Sequence, residues 1–157
     1  MKNESERLAD QLKRAFDGLA WHGPGLKEAL EGVTVGQALA RPLPSLHTIW
    51  ELVAHIAGWE GVVARRLNGE AVAEPGEGDF PPAPPSATTA DWQAFQERIH
   101  DAHERLTARM AALTEDDLRR RIDEKPYPAW FMCHGSIAHA LYHVGQIVLL
   151  KRLLAAA

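Results

Sequence analysis

From Cys133 to Ile147 the chain is apolar apart from a few polar residues and three histidines, His134, His139 and His143. The periodicity predicts a helix from about Ala129 or Phe131 to Leu154, with Lys151 and Arg152 at its end, where the helix dipole favours cations. On such a helix His139 and His143, four residues apart, stand one turn above each other on the same face. Two imidazoles so placed can grip one divalent ion, but a pair makes a weak site. The best third donor is His55, within Trp50-Glu51-Leu52-Val53-Ala54-His55-Ile56-Ala57-Gly58-Trp59-Glu60. It lies between Leu52 and Trp59 on a broad apolar stripe that also holds Ile49, Ile56 and Val63, so it should face the core.

The same periodicity runs through most of the chain. Leu8, Leu12, Ala15, Phe16 and Leu19 mark an amphipathic helix over about 5–19, closed by the turn-forming run Trp21-His22-Gly23-Pro24-Gly25. Short helical pieces are expected over 26–30 and 34–40. Thr48 and Glu51 form a capping box that starts a second long helix, ending near Leu67 before Asn68-Gly69. Residues 70–86 lose all periodicity and carry the densest run of prolines, so they read as one long functional or mobile loop. It could cap one end of the bundle. A third helix is expected over 89–113, on Trp92, Phe95, Ile99, Leu106 and Met110. A short one follows the cap at Thr114. The sum is an all-α four-helix bundle with short extra helices, in one domain over 1–157.

Composition narrows the function classes. A formal net charge of −4 argues against a nucleic-acid footprint, which needs a basic patch. The single cysteine, Cys133, excludes an internal disulfide and fits a reducing cytoplasm. The polar N-terminus lacks a signal peptide's apolar core, and no apolar run is long enough to span a membrane.

Each candidate also has a structural reading. His139 and His143 could simply be hydrogen-bonded within a packed helix. Ala140 in place of glutamate rules out the zinc-protease signature and its built-in general base. Adding His55 favours a metal. Three neutral imidazoles leave the ion its full charge, which suits an anion, a hydroxide or a thiolate. Three residues are placed around the trio: His134 as a second-sphere group or helix cap, Gln146 as a hydrogen-bond partner of a ligand, and Glu51 as capping-box acceptor rather than base. Glu97-x-x-His100 is the one Glu-x-x-His pair, too few for a di-iron bundle. His100 and His103, among Glu97, Asp101 and Glu104, read as a solvated face. Cys133 reads as an inert thiol, and His47 as a loop residue.

These motifs resemble the DinB family, also called DinB/YfiT-like metalloenzymes. The resemblance rests on Trp21-His22-Gly23-Pro24, on His47 through Trp59, and on His134-Gly135 through His139, His143 and Gly145-Gln146-Ile147. It covers nearly the whole chain. It implies a four-helix bundle with an unusual connection order, a homodimer, and three histidine ligands at the positions of His55, His139 and His143. It implies zinc or nickel as the ion. Some relatives act on low-molecular-weight thiols. Position 140 departs from the acidic residue many relatives carry there. The expectation is a thiol-S-transferase-like or hydrolytic metalloenzyme acting on a small molecule. The alternative is a non-catalytic, stress-related protein with a structural metal, closed by Glu51 or Glu60 as fourth ligand.

Overall fold

A computed structural model describes residues 2–122 and 125–155. Among these described residues seven helices follow one another: α1 Glu4–Asp17, α2 Leu26–Leu30, α3 Val35–Leu39, α4 Ile49–Leu67, α5 Thr89–Ala111, α6 Glu115–Arg119 and α7 Ala129–Ala155. Among the described residues the only strand-like pairings are two isolated bridges, Ala20 with Gly23 and Arg121 with Pro128.

The starts of these helices are chemical. Thr48 accepts from Glu51 N at 3.1 Å and returns its own N–H to the Glu51 carboxylate at 2.9 Å, the expected capping box. Thr34, Thr88 and Thr114 cap α3, α5 and α6 in the same way. The first long helix stops at Asp17, short of Leu19, because Gly18 (φ 99°) and Leu19 (φ 59°) turn the backbone into the left-handed region.

The four long helices form a ring in the order α1, α5, α4, α7, each packed on its neighbours. The chain therefore crosses the bundle's diagonal twice, from α1 to α4 by way of α2 and α3, and from α5 to α7 by way of α6. Two anchors hold the first crossing. The buried Trp92 indole donates to Val33 O at 2.9 Å, and Lys151 near the end of α7 donates to Ala29 O at 3.2 Å.

The core falls into two apolar clusters. One gathers Ile49 to Ile56 of α4, Trp92 and Ile99 of α5, and Ala140 to Leu150 of α7. The other gathers Val63 and Leu67 of α4, Leu106 and Met110 of α5, Ala129 to Ile137 of α7, and α1. Between them runs a polar belt. His55 and Glu60 come from α4, His103 from α5, and His139 from α7. The candidate site lies at this belt, with His143 one turn along α7 from His139.

Candidate metal centre

α4 and α7 lie side by side, which brings His55 against His139 and His143. One nitrogen from each imidazole lies within 4.8 Å of the other two. The ring centroids are 4.6–4.7 Å apart in all three pairs. His55 and His143 are buried and His139 is half-buried.

The hydrogen bonds fix which nitrogens are free. His55 Nδ1 lies 2.6 Å from the Asp79 carbonyl, and a carbonyl can only accept, so the proton is on Nδ1. His143 Nδ1 donates in the same way to Gln146 Oε1 at 2.9 Å. Both rings thus keep Nε2 as the donor atom for a cation. His55 Nε2 and His139 Nε2 stand 2.8 Å apart, a hydrogen bond that His139 donates in the chain alone. Two nitrogens bound at about 2.0–2.1 Å to one tetrahedral ion would be separated by about 3.3 Å. The His55–His139 pair would therefore open by about half an ångström to hold a divalent transition ion, and His143 offers its nitrogen within 4.8 Å of both. Two of the three imidazoles, those of His55 and His143, already have the kind of outer partner that orients a metal-binding imidazole.

Electrostatics favour neutral rings. Burial, reinforced by the nearby His143 and His55, pulls His139 down to about 4. Burial also lowers His143, against the opposing hydrogen bond it donates to Gln146. Neutral imidazole is the metal-binding form.

The long loop supplies the lid. Asp79 contributes its carbonyl to His55, and its carboxylate accepts from the Trp59 indole at 2.8 Å. Phe80 stacks flat on His55 at 3.9 Å, and His47 stacks on the far side of Phe80 at 3.8 Å. The loop thus lies along α4 and over the imidazoles rather than across one end of the bundle. Neither Asp79 nor Phe80 stands out in the sequence. Asp79 acts in part through its backbone, which carries no side-chain signature.

The remaining candidates divide. Gln146 reaches the trio. His134 stands away from it, 3.7 Å from Glu4 and edge-on to Trp130. Glu51 stays in its capping box and pairs with Arg41 and His47. Burial would raise its carboxyl, but the bonds from Thr48, Arg41 and His47 outweigh that and hold it low. Glu60 is engaged by His103, whose Nδ1 lies 3.2 Å from Oε1, so it is not a fourth ligand. His103 corrects the solvated-face expectation: it is 1% exposed and stacks on Phe16. The spacing did carry that signal, since 99, 103, 106 and 110 advance by four, three and four residues along one face. Cys133 is fully buried, and burial pushes its thiol up to about 12, so it is inert.

A cleft of about 390 Å³ opens beside the trio, lined by His55 and His139 together with Trp59, Glu60, Arg66 and Phe131 among others. A larger groove of about 970 Å³ between α2, α3 and α5 shares none of the three histidines.

No curated protein and no solved structure matched this chain. A family model described as the DinB superfamily matches residues 19–147, a span that includes all three histidines, Asp79 and Gln146. The expected likeness to that family holds over most of the molecule, and the chain belongs to the DinB superfamily.

Proposed function

We propose that this chain is a metal-dependent enzyme in which His55, His139 and His143 hold a divalent transition ion, zinc or nickel. The adjoining cleft would admit a small thiol or a water. When bound, such an ion supplies Lewis acidity that lowers the pKa of a coordinated thiol or water toward neutrality. The chain's own residues do the rest. Asp79 and Gln146 hold two rings in register, while Phe80 and Trp59 keep water from the buried side. The observation that carries the reading is the convergence of the three imidazoles, two of which, His55 and His139, line an open cleft. The engagement of Glu51 and Glu60 elsewhere favours this over a closed structural site. A homodimer acting on a small-molecule thiol completes the proposal.

Elemental analysis of protein purified without a histidine tag tests it first, with one divalent ion per chain expected. A panel of low-molecular-weight thiols and electrophiles follows. Thiol-dependent turnover that disappears on chelation supports transfer chemistry. Stoichiometric metal with no turnover of thiol or hydrolysable substrates returns the chain to the non-catalytic alternative, and metal-free protein that cannot be loaded removes the centre altogether.

A further inference from the structure

We propose that the cleft beside the histidines takes a substrate with an apolar body and a carboxylate, and that Arg66 docks the carboxylate. This rests on the reading of that cleft as the substrate site. Arg66 is only 6% exposed, yet it lines the cleft. Its Nε and Nη2 donate to Val72 O at 2.8 Å and Ala73 O at 2.7 Å, both neutral acceptors. Among the described residues no carboxylate comes within 4.0 Å of it. A guanidinium offers five N–H donors, so these two bonds do not exhaust it. Burying a cation without a counter-charge is costly, and an incoming anion would recover part of that cost.

The rest of the cleft is consistent with this. Its other buried charged side chain, Glu60, is already engaged by His103. Trp59, Val63, Phe131 and Met132 supply apolar walls. The Trp59 ring also faces the guanidinium, 6.0 Å from its centroid, which holds the cation at the cleft edge. The planar fork of arginine matches a carboxylate better than a point charge does.

Isothermal titration of the metal-free full chain with 3-phenylpropionate and with 3-phenylpropan-1-ol tests the assignment. The two probes share an apolar body and differ in charge. The parent is expected to bind the carboxylate about tenfold more tightly or better. R66Q should abolish that preference, with the larger loss of affinity falling on the carboxylate. F131A, at a residue 54% exposed and therefore tolerant of change, should weaken both probes alike and so locate them in the cleft. Equal binding of the two probes by the parent overturns the proposal. So does a preference that survives R66Q, or binding indifferent to F131A. Should R66Q not fold, R66K carries the test: losing the fork must reduce the preference, and an unchanged one places the anion elsewhere. A zinc titration of the parent reads the metal centre separately. Discrimination between the probes without zinc binding refutes the metal reading and keeps the anion site.

Discussion

His139 and His143 were legible because a four-residue step on a helix has one geometric meaning, and His55 because a histidine within an apolar stripe must face inward. What surrounds them was not, since a loop carbonyl and a stacked phenylalanine depend on a path that periodicity does not encode. The lowered pKa of His139 has a measurable consequence. His139 titrates at about 4 when folded, below the ordinary imidazole value of 6.5. The unfolded chain therefore binds the proton first as pH falls. The stability that His139 contributes to the metal-free protein should decline from about pH 6.5 and be lost by about pH 4. Thermal melts across that window should show the slope, and His139→Ala should flatten it. The same trio predicts that His55→Ala lowers zinc affinity by at least about tenfold, because two imidazoles hold an ion poorly. Competition with a chromogenic chelator measures this. Gln146→Ala, which removes only the orienting bond to His143, should cost about 10–100-fold at most.

At the scale of elements, the threonine caps at Thr34, Thr48, Thr88 and Thr114 set the helix starts, and their sequence pattern is local enough to read directly. The turn from α1 to α2 was legible as a turn but not as a close contact. A Cβ on Gly25 would sit 2.6 Å from Gly18 N and 2.7 Å from Phe16 O, both backbone atoms that cannot swing aside. Gly25→Ala should therefore destabilise the protein by about 1–3 kcal/mol, the range of an overpacked site. Chemical denaturation should show this as a lowered midpoint with an unchanged slope. Gly32→Ala is a contrasting control: nothing lies within 4 Å of its Cβ, and only its positive φ (73°) opposes the change.

Across the whole molecule, the helical class followed from the sequence but the ring order did not, because which long helix neighbours which depends on the two diagonal crossings. That order explains why α7, apolar on nearly every side, is only partly covered. α1 and α4 flank it and α2 and α6 touch its ends. Its outer face carries Ala138, Tyr142, Gly145 and Leu149, all exposed, at steps of four, three and four residues, with Leu153 following. A helix apolar all round is normally buried, and a run of this kind on a lone surface is costly in water. The proposed homodimer would cover it with a second α7, and the small residues Ala138 and Gly145 allow close approach along the stripe. Stable dimers bury about 1,200–2,000 Å² in total, and a helix of 27 residues offers a face about 40 Å long. Leu149→Glu places a charge on that face at a residue 66% exposed in the single chain, so the fold should survive. Sedimentation of the parent should show a dimer at micromolar concentration, and the variant should weaken it at least about thirtyfold, the effect of losing one anchor of about 2 kcal/mol. A parent that sediments as a monomer, or a variant that stays a dimer, would mean that this face meets something other than its own copy.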